Sequence, residues 1–261
     1  MRTDAVDLEE GRLEGIESME DYASVHERHR IFPDIFENRG HRSILDISAG
    51  VGIVGKRVKD LYDGEIVCNE ISPTALKTME RAGLETISFD IDDASHPFPL
   101  EDGRFDAVIS LATIEHLVNI DHFVREIRRI LSEEGRFYVS APNYSGILYL
   151  LPFLWTGKTF HDPMSQGSRY EFYAHIRYFT YRTLVEYVSS FGFSPEAVYL
   201  GLPKESSNFE RLGKRSRLLA SLFRTSMKLV YRCSPRWASE PVICFRKSGE
   251  GGSTRIRKVI L

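Results

Sequence analysis

Cysteine is scarce, with only Cys68, Cys233 and Cys244 in 261 residues. They are far apart and odd in number, so the sequence predicts no disulfide framework and a reducing compartment is expected. Long apolar runs are also lacking. The longest, Ile147 to Trp155, falls far short of the roughly 20 residues that a membrane-spanning helix needs. The acidic opening MRTDAVDLEEGRLEG contains no apolar core for a secretory signal, which makes a cytoplasmic location the expectation. A net charge of -3 excludes a global electrostatic attraction to nucleic acid, and no internal repeat is evident.

What is present is an uneven charge and a regular alternation. Residues 1–40 hold eleven Asp/Glu against five Arg, whereas residues 204–236 hold nine Lys/Arg against two Glu. From Ser43 onward, short β-prone runs alternate with helical patterns, as in βαβ units on a largely parallel sheet. Strands are predicted at Ile44 to Ser48, EIVCNE, TISFD, FDAVISL, RFYVSA, EAVYLG and PVICFRK. Ser72 and Pro73 open one helix, Phe123, Val124, Ile127, Ile130 and Leu131 line the apolar face of another, and Thr180 caps a third. The organisation expected is a helical cap over residues 1–40, a domain over 41–247 and a flexible tail over 248–261. Two insertions interrupt the domain: an aromatic lid at 143–179 and a basic amphipathic segment at 204–236.

The first strand runs into a literal G-x-G-x-x-G at Gly50, Gly52 and Gly55. Glycine permits a tight turn and close backbone approach to a ligand, so the loop suits either a dinucleotide or another adenosine cofactor. Asp46, at the strand's end, tilts the choice. A carboxylate there repels a pyrophosphate but attracts an ammonium group such as that of S-adenosylmethionine; its bland alternative is a surface or capping acid. Glu70 ends the second strand, where an acid can accept two hydrogen bonds from a ribose diol. Asp90 and Asp92 end the third, where a carboxylate can meet an adenine amine or merely belong to an Asp-rich turn.

The ordered blocks ILDISAGVG, VCNEISPTAL, DIDDASHPFPLEDGRFDAVISLATIEHL and REIRRILSEEGRFYVSAPN resemble the class I S-adenosylmethionine-dependent methyltransferases, in their small-molecule branch. HIRYFTYRTLVEYVSSFGF extends the resemblance, which covers about residues 43–200. It implies an α/β Rossmann-like fold: a seven-stranded, mostly parallel sheet with a reversed last strand and helices on both faces. It further implies S-adenosylmethionine as cofactor, with Asp46, Ser48, Gly50 and Gly52 at its methionine part and Glu70 with Ile71 at the ribose. Asp92 with Asp93 would lie at the adenine, and Leu111 with Ala112 near the methyl region. Ser48 stands where the family more often has glycine, a substitution that an ordinary backbone torsion accommodates. Gly55 is assigned to helix packing.

Methyl transfer needs an in-line nucleophile, and a hydroxyl acceptor benefits from a base or a metal. His116 and His175 are the candidate bases, with Glu115 beside them; each also has a structural reading, as loop support or lid packing. Tyr144, Arg169, Tyr170, Arg177 and Tyr178 are candidate pocket residues. Glu115, His116 and His175 also resemble three of the four ligands of metal-dependent small-RNA 2'-O-methyltransferases. Ala112 occupies the position of the fourth, so no metal site is assigned. In the basic segment, Leu219, Phe223, Met227 and Val230 share one helical stripe and Arg224, Lys228 and Arg232 another. That helix either packs on the sheet with a solvated basic face or touches anionic lipid or a lipid-linked substrate. The expected partner is a small-molecule acceptor, a sugar or lipid-linked hydroxyl among the options. The rivals are a metal-assisted RNA 2'-O-methyltransferase, an NAD-dependent oxidoreductase and a noncatalytic cofactor-binding protein.

Overall fold

The computed structural model describes residues 5–22, 25–158, 161–164, 169–248 and 256–261. Eight strands form one sheet: β1 Ser43–Ile47, β2 Glu65–Asn69, β3 Glu85–Ile87, β4 Phe105–Leu111, β5 Leu131–Ser140, β6 Phe193–Leu200, β7 Val242–Lys247 and β8 Arg257–Ile260. Their spatial order is β3-β2-β1-β4-β5-β7-β6-β8. β7 runs antiparallel to both neighbours, while the other pairings are parallel. The order reverses between β1 and β4, the crevice where ligands of open α/β sheets bind.

The helices are α1 Ala5–Arg12, α2 Glu27–Arg30, α3 Ile53–Leu61, α4 Pro73–Arg81, α5 Ile120–Ile130, α6 Ile147–Thr156, α7 Arg169–Ala174, α8 Tyr181–Ser189, α9 Ser207–Arg215 and α10 Arg217–Cys233. Local chemistry explains their starts. Ser72 Oγ accepts from Ala75 N at 3.1 Å and Thr180 Oγ1 from Thr183 N at 3.2 Å, each satisfying an orphan amide of the first turn. In α5 the predicted apolar face, Phe123, Val124, Ile127 and Ile130, is wholly buried against the sheet. β1 is buried on both sides from Ile44 to Ile47, as a central parallel strand covered by helices must be.

Two expectations require correction. The sheet has eight strands and its reversed strand, β7, is the penultimate one in sequence, because Arg257–Ile260 adds an edge beside β6. The predicted flexible tail is therefore in part a strand, with Leu202 N donating to Leu261 O and Leu261 N to Leu200 O; residues 249–255 lie outside the described residues. Its signal is hidden because the strand is only four residues long and follows a glycine-rich run. Among the described residues no helix is long and apolar enough to cross a membrane.

Candidate active site

Parallel pairing brings three strand ends together. Asp46 lies level with Cys68 on β2 and Ile109 on β4, so Glu70 and Leu111 emerge beside the loop that follows β1. That loop turns through left-handed backbone at Ser48 (φ 60°), Gly50 (φ 57°) and Gly52 (φ 86°). A Cβ on Gly52 would lie 2.5 Å from Met79 Cγ and 2.8 Å from Leu84 Cδ1. Gly55 packs as expected: its Cβ would meet Cys68 Sγ at 2.6 Å. The ordinary torsion that would accommodate a serine is not what Ser48 has, and Ala112 (φ 52°) at the end of β4 is left-handed as well. Such torsions cost an L-residue about 1–2 kcal/mol and accumulate where a backbone is shaped for a ligand.

Two carboxylates face this turn from below. Asp46 is buried, and its Oδ2 has no partner among the described residues. Burial, and then repulsion from Glu70, push its carboxyl up to about 7. Glu70 is buried as well and raised by desolvation. Its Oε2 accepts from Gly50 N at 2.9 Å and its Oε1 from Ile71 N at 2.8 Å and Ser72 N at 3.3 Å. Two buried acids at one glycine turn, one with an unused oxygen, form a site for a cationic, hydroxyl-bearing ligand.

The other end of the crevice follows β4. Ile114–His116 forms a short 3-10 turn, and the Glu115 carbonyl accepts from both Ile176 N and Arg177 N at 3.0 Å, stapling the lid to it. Glu115 is fully buried, neither carboxylate oxygen has a hydrogen-bond partner among the described residues, and burial raises it to about 8. His116 Nδ1 donates to Ala174 O at 3.1 Å, which leaves Nε2 with the lone pair, 3.9 Å from Glu115 Oε1. The ring centroids of His116 and His175 are 4.7 Å apart. Tyr144 Oη bridges His175 Nδ1 at 2.9 Å and His161 Nε2 at 2.8 Å. Desolvation, and then the neighbouring histidines, lower His175 to about 3; desolvation lowers His116 too, offset by its bond to Ala174.

A methyltransferase-domain family model matches residues 45–139, the span from Asp46 through Glu115 and His116 into β5. Over those residues the chain is similar to a methyltransferase domain. The chain is 38% identical to ajmaline N-methyltransferase of Rauvolfia serpentina over 38% of its own length and 35% of the relative's. It is 34% identical to malonyl-acyl-carrier-protein O-methyltransferase of Geobacter sulfurreducens, over 44% and 45% of the two chains. The chain thus spans less than half the length of either curated relative. A solved Thermotoga maritima methyltransferase, described as a possible histamine N-methyltransferase, shares the fold at a TM-score of 0.56 and 16% identity, covering 85% of this chain and 89% of that one.

The remaining residues assigned to the methyltransferase domain's cofactor site divide in two. Ile71, Leu111 and Ala112 lie at the β2 and β4 ends, beside the glycine turn. Asp92 instead holds loops together: Oδ2 accepts from Val118 N at 3.0 Å and Oδ1 from Asn119 N at 2.6 Å. Asp93 is exposed and accepts from Ser95 N at 2.9 Å. Around the histidine cluster, Tyr144 is buried, Arg177 donates to Val118 O at 3.0 Å, and Tyr178 lies tilted against Tyr144 with centroids 5.1 Å apart. The side chain of Arg169 lies outside the described residues.

Sequence reasoning missed the residues that cover the methyltransferase domain's glycine turn. Glu10 accepts from Thr74 N at 3.1 Å and Thr74 Oγ1 at 2.7 Å and also bonds Ser72 Oγ, so an acid from α1 caps α4. Arg12 pairs with Glu9 and donates to Tyr22 Oη at 2.6 Å, and its Nη2 would lie 3.9 Å from a Cβ on Gly50. Tyr170, named above as a candidate pocket residue, joins this cover by donating from Oη to Glu9 Oε2 at 3.3 Å. His161 was the other omission. The acidic N-terminal composition was the only sequence signal for the first group, and it named no partner.

Proposed function

We propose that the chain transfers a methyl group from S-adenosylmethionine to a hydroxyl of a small-molecule acceptor, a sugar or a lipid-linked compound, in the space between His116 and the aromatic lid. The observation that carries this reading is His116, whose Nδ1 is committed to Ala174 O and whose Nε2 keeps its lone pair. Bound at the glycine turn, S-adenosylmethionine supplies an electrophilic methyl on a sulfonium. Asp46 would meet the cofactor's ammonium and Glu70, which accepts from Gly50 N here, its ribose hydroxyls. Transfer would exchange the sulfonium's S–C bond for a C–O bond and release S-adenosylhomocysteine; His116 Nε2 would take the acceptor's hydroxyl proton, and the imidazolium formed would lie beside Glu115. His175, held neutral far below physiological pH, orients rather than accepts; Tyr144 fixes it.

A second reading rests on the ligand atoms of Glu115, His116 and His175, which all lie within 4.8 Å of one another. A divalent cation held there would take up the unpartnered Glu115 carboxylate and polarise the acceptor oxygen. One assay decides both points. With tritiated methyl donor and a panel of sugar, polyol and isoprenoid-linked acceptors, S-adenosylhomocysteine is expected to form with at least one. Loss of turnover in EDTA, restored by Mn(II), selects the metal reading. NAD binding without response to either sulfur nucleoside overturns both.

Asp46 gives a pH signature. Its folded-state carboxyl titrates near 7, and an ammonium ligand favours the ionised form, so binding below that pH expels a proton. Cofactor affinity should therefore rise with pH by up to about tenfold per unit below 7 and level off above it. Calorimetry in buffers of different ionisation enthalpy reads the released proton directly. Asp46→Asn should bind more weakly and lose most of this slope; an unchanged slope would remove Asp46 from the site.

A further inference from the structure

Two helices, α6 of the lid and α10, present apolar side chains to solvent. In α6, ILYLLPFLWT, no residue is buried and none is charged; Leu154 is 76% and Trp155 92% exposed. Leu148, Leu151 and Trp155 follow one another at spacings of three and four, so they share a face. In α10 the predicted stripe holds in part: Met227 is buried and Phe223 and Val230 pack on the core, while Leu219 is largely exposed. On the side opposite Ala220, Met227 and Tyr231 stand Leu218 (71% exposed), Leu222 (58%) and Leu229 (65%). Arg217, Arg224, Lys228 and Arg232, at spacings of seven, four and four, flank that ridge, and α10 contains no acid. α6 begins against the turn that follows α10, where Asn143 Nδ2 donates to Arg236 O at 2.9 Å and Ser145 Oγ to the same carbonyl at 3.2 Å.

We infer that α6 and α10 dock the protein on the surface of an anionic lipid bilayer. The charge argument selects this occupant: in a chain of net charge -3, an acid-free helix with four cations beside an outward leucine ridge matches anionic headgroups over hydrocarbon. Uncharged α6 adds an exposed tryptophan, the side chain best suited to the headgroup boundary. An RNA ligand would use the cations and leave Leu154 and Trp155 in water. Docking is independent of the methyl-transfer reading, though it would favour a lipid-linked acceptor.

The test uses the full chain and extruded vesicles of pure phosphatidylcholine or of phosphatidylcholine with 30% phosphatidylglycerol. Co-sedimentation is expected with the anionic vesicles, weakening as salt rises. Trp155 and Trp237 are the only tryptophans, so Trp237→Phe leaves Trp155 as sole reporter, and its emission should shift to the blue on binding. Leu154→Ser with Trp155→Ser, and separately Arg224→Glu with Lys228→Glu, should each reduce vesicle binding at least tenfold while cofactor binding persists. Absence of co-sedimentation, equal binding to neutral vesicles, or wild-type binding by both double variants overturns the proposal. So does a stable dimer in solution that the Leu154/Trp155 variant dissociates, because the apolar face would then be covered by a second copy. Cofactor binding is measured separately, so failure here leaves the methyl-transfer reading intact.

Discussion

His116→Ala should lower kcat for methyl transfer by about 10²–10⁴-fold, the usual worth of a general base, with cofactor affinity essentially unchanged. The effect should fall on kcat because Nε2 has no strong ground-state bond and becomes a charged partner of the reacting hydroxyl only as its proton moves. Neighbouring variants separate the roles. His175→Ala also removes a ring that packs on His116 and His161, together with the Tyr144 bond, so it should raise KM and loosen the lid as well as lower kcat. His116→Asn, whose amide nitrogen falls where the ring has Nδ1, retains a side-chain donor for Ala174 O but not the base, and should be nearly as slow as His116→Ala. If both His116 variants turn over at the wild-type rate, the histidine is loop support and the acceptor ionises by another route.

Gly52→Ala should destabilise the fold by about 2–4 kcal/mol and remove most cofactor binding. Two costs combine. A φ of 86° puts an L-residue in the left-handed region, worth about 1–2 kcal/mol, and the new Cβ would sit 2.5 Å from Met79 Cγ in a packed interior, where overpacking costs about 1–3 kcal/mol. Met79 and Leu84 are both buried, so relief means moving α4 or reopening the turn. Gly213→Ala in α9 is the internal control: nothing lies within 4 Å of the new Cβ, and helix propensity should make it neutral or stabilising. Denaturant melts of the two variants compare the same chemical change in two backbones. A Gly52→Ala protein as stable as wild type would show that the turn relaxes freely.

The parts of this site that could be read from the sequence are those carried by neighbours along the chain. Alternating apolar runs place β1, β2, β4 and β5, and an acid next to a strand's C-terminal end locates Asp46 and Glu70, because parallel strands bring those ends to one edge. Where a function depends on a distant partner, the pattern is silent. Asp92 suits either an adenine contact or an Asp-rich turn by its sequence, which does not show that its carboxylate reaches amides 26 and 27 residues away in the turn after His116. Glu10 reaches across 62 residues to Ser72, from a segment with no strong apolar periodicity. Ser48 could be recognised as unusual from its identity; its left-handed torsion could not.

The bond from Tyr170 to Glu9 joins two segments far apart in the chain. Glu9 belongs to the segment lying over the glycine turn and Tyr170 to the helix beside His116 and His175, and the same carboxylate also serves Arg12. One acid is thus common to both covers, so displacing either α1 or α7 costs the other a hydrogen bond.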